Sequence, residues 1–329
     1  MNPFLFALNA TSPIVIMLGL GYLLKSRRLI NADFTRIGNN LVFRVFLPAM
    51  LFLNIYKIEG IGKINFGFIG YAVGAVIVIA LLALPVIVIF TKENKKRGAL
   101  YQGIFRSNYA LVGVPLAEAL FGQSGVAVAS LLSAFAIPVF NVLAVIILSV
   151  FSDNGKERAS LKKIIVGIIK NPLIHAVLLG IIALTLREVL ISADVSWRLS
   201  DIAPLYKVLG YLSSVATPLA LIILGAQFEF SAVRELRREI IFGVLARCFI
   251  VPLLGIGAAV LLFRDSFGGA SFAALAALFS TPVAVSSVPM AQEMKSDVRL
   301  AGQLVVWSTV FSTLTIFFSA VILRGLGIF

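Results

Sequence analysis

The chain has 329 residues, 60% of them hydrophobic and 13% charged, with a mean hydropathy of +1.03. A soluble domain averages about 25% charged residues, so the composition excludes an ordinary soluble protein and reads as an integral membrane protein. The net charge of +13 does not point to nucleic acid, because the cations fall in short clusters between apolar spans, where they set orientation and meet anionic lipid.

A hydrocarbon core of about 30 Å takes roughly 20 apolar residues per helix, and ten such spans are predicted. In chain order they cover residues 4–24, 37–56, 66–90, 99–121, 126–151, 171–191, 208–228, 240–263, 270–291 and 301–323. Long apolar runs without period-2 alternation do not read as a membrane barrel. Lys25, Arg27 and Arg28 follow the first span rather than precede it, so this span is expected to stay as a helix and not to act as a signal peptide. The odd-numbered loops hold the basic clusters, such as Lys92, Lys95, Lys96 and Arg97. The even-numbered loops hold scattered cations such as Lys57 and Arg198. The excess places the odd loops in the cytoplasm and both termini outside, in a plasma membrane.

The polar linker Ser152–Arg158 separates five spans (residues 1–151) from five (residues 171–329), with 152–170 as the cytoplasmic connection. An odd number of spans per half turns the second copy over, so the expected fold is all-α, with two inverted five-helix repeats. Spans 4 and 9 carry the repeat. Phe105 to Glu118 aligns without a gap on Phe279 to Gln292, matching Phe, Ala, Val, Pro and Ala, with Ser107 on Thr281 and Glu118 on Gln292.

Each copy holds a proline, Pro115 or Pro289. Proline suits the first turn of a helix, so each is expected to open a second half-helix. Leu111 to Val114, including Gly113 and Val114, and Val285 to Val288, including Ser286, Ser287 and Val288, are then expected to be unwound. Non-helical backbone at membrane depth needs protein or a watery cavity around it. Two helix starts meeting there, each with about half a positive charge, suit an anion and above all a carboxylate.

Asn108 either donates and accepts to a ligand or ties down freed backbone, or does both. Arg106 either attracts an anion or snorkels toward loop 3, and an arginine at that depth costs at least about 2.5 kcal/mol if left uncompensated. Ser107, Thr281, Ser286 and Ser287 are expected mainly to satisfy backbone. Glu118 serves as a cap, an ion-pair partner or a proton carrier. Arg44 and Arg247 are read as snorkelling, His175 as interfacial, and Cys248, the single cysteine, as a packing residue. The spans contain no Asp, no paired acids at the breaks, no metal-ligand pattern, no Walker-type loop and no nucleophile with a base. An enzyme, a metal and a cofactor are therefore not expected, and a carboxylate-dyad sodium/proton antiporter is disfavoured.

Phe105-Arg106-Ser107-Asn108 followed by Gly113-Val114-Pro115-Leu116 resembles the auxin efflux carrier family, as do Phe46-Leu47-Pro48, Leu224-Gly225 and Val288-Pro289. The resemblance covers nearly the whole chain and implies the bacterial branch that carries malate, malonate and related acids. It implies a scaffold of spans 1, 2, 6 and 7, often dimeric, and a transport unit of spans 3–5 and 8–10 that moves as an elevator. The family's crossover asparagine falls on Asn108 and its crossover prolines on Pro115 and Pro289. The short linker differs from the long hydrophilic loop of the plant exporters. The expected function is secondary transport of a small carboxylate across the lipid bilayer, with sodium, proton or no coupling left open. The alternatives are an ion-coupled carrier of another solute on the same fold, and a non-transporting membrane sensor.

Overall fold

The computed structural model describes residues 3–57, 65–151, 170 and 172–328, and the predicted linker Ser152–Arg158 lies outside them. The described residues fold as helices, with one isolated antiparallel bridge between Ser107 and Val283. The helices are α1 (Pro3–Ser26), α2 (Ala32–Tyr56), α3 (Phe66–Phe90), α4 (Asn94–Phe105), α5 (Val114–Val150) and α6 (Pro172–Ser192). They continue with α7 (Ala203–Gln227), α8 (Phe230–Glu235), α9 (Arg237–Phe263), α10 (Gly269–Ser280), α11 (Ser287–Glu293) and α12 (Val298–Gly325). Seven of them (α2, α3, α5, α6, α7, α9 and α12) are long and apolar enough to cross a membrane, so this is a multi-span membrane protein. Leu261 and Ile89 remain about 85% exposed, as expected of side chains that face lipid.

Polar residues fix the helix starts. The side chains of Asn31, Asn65 and Asp297 accept from the N–H groups of Phe34, Phe68 and Leu300 at 2.9, 3.0 and 2.9 Å, satisfying donors that a helix start leaves open. Inside the helices, three π turns stand directly before prolines: Val42–Phe46 before Pro48, Tyr109–Gly113 before Pro115, and Ala246–Ile250 before Pro252. In each, the residue before the proline donates five residues back: Leu47 to Val42, Val114 to Tyr109, and Val251 to Ala246. A proline ring lacks an N–H and crowds the carbonyl four residues earlier. The wider turn moves that carbonyl aside and lets the helix continue.

This corrects the expected position of the breaks. Leu111 to Val114 are helical and Pro115 sits within a continuous coil. The chain is extended instead at Arg106, and Asn108 has φ −79°, ψ 51°. In the second copy the extended backbone begins at Thr281 (φ −80°, ψ 157°), before Pro282, as expected of a residue preceding proline. Val288 and Pro289 lie inside α11. Further on, α5 bends at Phe121-Gly122, where Gly122 takes φ 60°, ψ −150°, a conformation open essentially to glycine alone.

Two groups of helices form. α1 packs on α7, and α2 packs on α6 and α7, while α5, α10, α4, α9 and α12 pack among themselves. Contacts of α1 with α12 and α5, and of α2 with α11, join the groups. Gly21 and Gly225 set the α1–α7 approach. A Cβ at Gly21 would lie 2.0 Å from the Ile222 carbonyl oxygen, and one at Gly225 would lie 2.0 Å from that of Leu18. Because backbone cannot give way as a flexible side chain can, Gly225→Val is expected to cost at least the roughly 1–3 kcal/mol of overpacking. The check is a lowered thermal midpoint in detergent. A midpoint equal to that of the parent would show that α1 and α7 do not pack this closely.

Candidate functional site

The extended segments between α4 and α5 and between α10 and α11 run against each other. Asn108 N–H donates to the Pro282 carbonyl at 2.8 Å and Ala284 N–H to the Arg106 carbonyl at 3.2 Å. The hydroxyls of Ser107 and Thr281 lie 2.5 Å apart, and Val283 N–H donates to Ser308 Oγ of α12 at 3.0 Å. Backbone groups released by the two interruptions are thus paired inside the protein, which is the condition for irregular backbone at membrane depth.

Arg247 of α9 binds the ends of both interrupted helices. Its Nε and Nη2 donate to the Thr281 carbonyl at 2.9 and 2.7 Å, and Nη2 also donates to Leu278 at 3.2 Å. Its Nη1 donates to Ile104 at 3.2 Å and Phe105 at 3.4 Å. These are terminal carbonyls of α10 and α4, where the helix dipole favours a cation. Arg247 is buried, which overturns the snorkelling reading. Arg44 is more open and pairs with Glu293.

Arg106 is also buried and does not snorkel. Its Nη2 donates to Asn141 Oδ1 at 2.7 Å and its Nη1 to Met290 Sδ at 2.7 Å. Asn141 is held by donation to the Ile137 carbonyl at 2.9 Å. No carboxylate lies within ion-pair distance of Arg106 among the described residues. Sequence reasoning missed Asn141 and Met290; the available signal was an amide inside the apolar run of the fifth predicted span.

A cavity of about 50 Å³ lies where the crossing segments face α2, α6 and α7. Arg106, Ser107, Asn108, Asn141 and Ser286 line one side; Leu47, Met50, Leu173, Ala216 and Thr217 line the other. Asn108 is buried, and its Nδ2 has no hydrogen-bond partner. An unpaired buried donor of this kind costs about 1–3 kcal/mol. Tyr109, at the start of the π turn, lines this space, where the first N–H groups of a helix lack intrahelical acceptors; at α11 the Ser287 and Val288 N–H groups donate to the Ala284 and Val285 carbonyls at 3.0 and 3.2 Å.

Of the predicted site residues, Asn108, Arg106 and Ser286 therefore come together at the cavity. Gly113 is buried in the π turn, and Ser287, Val288 and Pro289 are buried in α11, none of them lining the cavity. Val114 lines a neighbouring hollow of about 190 Å³ with Asn54, Lys57, Ser130 and Ser133. Pro115 and Glu118 are exposed, as is His175 on α6.

A helical, multi-span protein whose interrupted helices meet beside a cavity that is apolar on one side and carries Arg106, Asn108 and Asn141 on the other has the build of a membrane transporter. The chain belongs to the family described as membrane transport protein, whose pattern matches residues 6–319. It is similar to an uncharacterized transporter of Methanothermobacter thermautotrophicus, 24% identical over 92% of this chain and 94% of the relative. It is equally similar to an uncharacterized transporter of Methanocaldococcus jannaschii, with the same identity and coverage. This family points to transport rather than enzymatic chemistry.

Proposed function

We propose that this transporter is a secondary carrier of small organic anions, carboxylates such as malate or malonate, and that it works by alternating access. One observation carries the reading: a buried guanidinium without a carboxylate partner and an unpartnered amide donor line the same cavity. Taking a charge out of water is expensive unless it is compensated, and an incoming carboxylate supplies the missing counter-charge. Asn108 Nδ2 and the first N–H groups of the π turn at Tyr109 hold its oxygens, while Arg106, anchored by Asn141 and Met290, supplies the field.

The inverted repeat is supported by contacts that pair up. α1 on α7 and α6 on α2 are equivalent pairs under an inversion of two five-span halves. Gly21 and Gly180, each eight residues after a proline in the first span of its half (Pro13 and Pro172), sit at these two contacts against Ile222 and Ile55. Ser107 and Thr281, aligned by the repeat, touch each other, as positions near a two-fold axis do. In this reading α1, α2, α6 and α7 are the scaffold, the other group is the moving unit, and the basic loops face the cytoplasm. A cavity of about 50 Å³ has room for a few waters, so loading a dicarboxylate requires the crossing segments to draw away from α2 and α7.

The test is a thermal-shift screen of purified protein against mono- and dicarboxylates, with and without sodium, at two pH values, followed by counterflow of the best ligand in liposomes. Stabilisation of several degrees by a carboxylate, with counterflow, is the expected result. Stabilisation by neutral or cationic solutes alone would overturn the anion reading.

A further inference from the structure

α2 passes four distinct environments in order along its length. Asn31, Ala32, Thr35 and Arg36, at its start, line a pocket of about 470 Å³. Asn39 lies in a buried amide cluster. Leu47, Met50 and Leu51 line the Asn108 cavity, and Asn54 and Lys57 line the 190 Å³ hollow at the opposite end. From Asn31 to Lys57 the helix rises about 39 Å at 1.5 Å per residue, which is the thickness of a bilayer with part of its headgroup layers.

We propose that Asn39, Gln227 and Gln292 form an amide gate between the Asn108 cavity and the 470 Å³ pocket on the basic-loop face, the pocket serving as the inner vestibule for the same anion. The proposal rests on the carrier reading above. Asn39 Nδ2 donates to Gln292 Oε1 at 2.6 Å and to Gln227 Oε1 at 3.2 Å. Gln292 Nε2 donates to the Arg36 carbonyl at 3.4 Å, and the Arg44–Glu293 ion pair stands beside the cluster. Asn39 and Gln227 belong to α2 and α7. Gln292 belongs to α11, which begins at the cavity and is held to α4 by donation from Gln102 Nε2 to the Ser287 carbonyl at 3.1 Å. The cluster therefore bridges the two helix groups, and any relative movement of the groups must break it.

The chemistry suits a contact that opens. Neutral amide pairs exchange for water at a net cost of only about 0.5–1.5 kcal/mol each. Asn39 is 2% exposed and its Oδ1 has no partner, so the closed cluster leaves one acceptor unpaired that water satisfies on opening. Gln227 and Gln292 also line the 470 Å³ pocket, together with Lys25, Arg36, Arg299 and Gln303. Arg36 is paired with Asp33 at 3.0 Å and Arg299 with Glu229 and Glu235 at 3.1 and 2.9 Å. Lys25 is thus the cation of this wall with no carboxylate in ion-pair distance among the described residues, and it is the charge that meets an anion. On the other side, the cavity shares Ala110 and Ile137 with the 190 Å³ hollow. The structure thus shuts the cavity at the basic-loop face and leaves it adjoining the Lys57 end.

The gate is read by thiol accessibility, which does not depend on knowing the cargo. In full-length protein with Cys248→Ser, Thr217→Cys places a single thiol on the cavity wall in sealed proteoliposomes of fixed orientation. A charged, impermeant maleimide applied from the basic-loop face is expected to react slowly. Adding Asn39→Ala and Gln292→Ala is expected to raise that rate at least tenfold; if the double variant does not fold, Gln292→Ala alone, on a half-buried residue, gives the same reading with a smaller rise. An unchanged rate in folded protein would overturn the gate. Counterflow of a labelled dicarboxylate in the same vesicles reports on the carrier reading separately: its absence with gated labelling intact removes the anion and keeps the gate.

Discussion

Replacing Asn108 with alanine is expected to abolish carboxylate uptake while leaving the thermal midpoint almost unchanged. The reason is the state of its amide. Nδ2 is buried and has no partner in the protein, so its removal breaks no internal bond and relieves an unpaired donor. The relief of an unpaired buried donor, about 1–3 kcal/mol, opposes the cost of the small space a shorter side chain leaves, so little net change in the midpoint is expected. With a carboxylate bound, the same nitrogen makes a charge-assisted hydrogen bond. The loss of one such bond costs about 1.5–3 kcal/mol, or roughly 10–150-fold in affinity. Asn108→Asp should be worse, because it places a second negative charge against the cargo. Binding by thermal shift and uptake in liposomes check both variants together. Full uptake by a well-folded Asn108→Ala protein would remove this side chain from the site. Loss of uptake with a collapsed midpoint would assign it to backbone support instead.

The sequence made the helices legible wherever one local rule dominates. Phe66–Phe90 was expected and found at the same residues, because an uninterrupted apolar run ends at Asn65 on one side and Thr91-Lys92 on the other. The interruptions were harder to place. Proline has two uses in a membrane helix, and composition does not separate them. At Pro115 a π turn absorbs the ring, whereas at Pro282 the chain is extended. The copies Arg106-Ser107-Asn108 and Ser280-Thr281-Pro282 are alike only in their small polar residues, a weaker signal than the Pro115–Pro289 match. Asn108 was legible because an amide at membrane depth demands an explanation. The same logic, applied to Asn39, Gln102 and Asn141, marks three more amides that need partners at membrane depth. Their partners lie in distant spans, though, so sequence alone marks the depth and not the contact.

Arg247 is the clearest case of that limit, and its substitution carries the largest expected effect on the fold. Charge and depth suggested a side chain reaching for the surface. The structure turns it inward, onto the Ile104, Phe105, Leu278 and Thr281 carbonyls. These oxygens end two helices whose axes do not continue, so no backbone N–H is available to them. Even at the roughly 0.6 kcal/mol typical of hydrogen bonds measured within membranes, five such bonds are substantial, and each carbonyl left bare costs about 1–3 kcal/mol more. Arg247→Met keeps the volume and removes every donor. It is expected to destabilise the protein by about 3–5 kcal/mol, as breaking a buried charged network does, and to remove transport with it. Arg247→Lys separates charge from geometry. A compact ammonium at the end of a flexible stem satisfies one helix end but does not span both. This variant is therefore expected to fold with an intermediate midpoint and to hold the two crossing segments loosely, weakening carboxylate binding without displacing Asn108. Thermal melts and binding isotherms of the two variants check this order. A methionine variant that melts with the parent protein and transports at its rate would show that the crossing segments hold themselves together without Arg247.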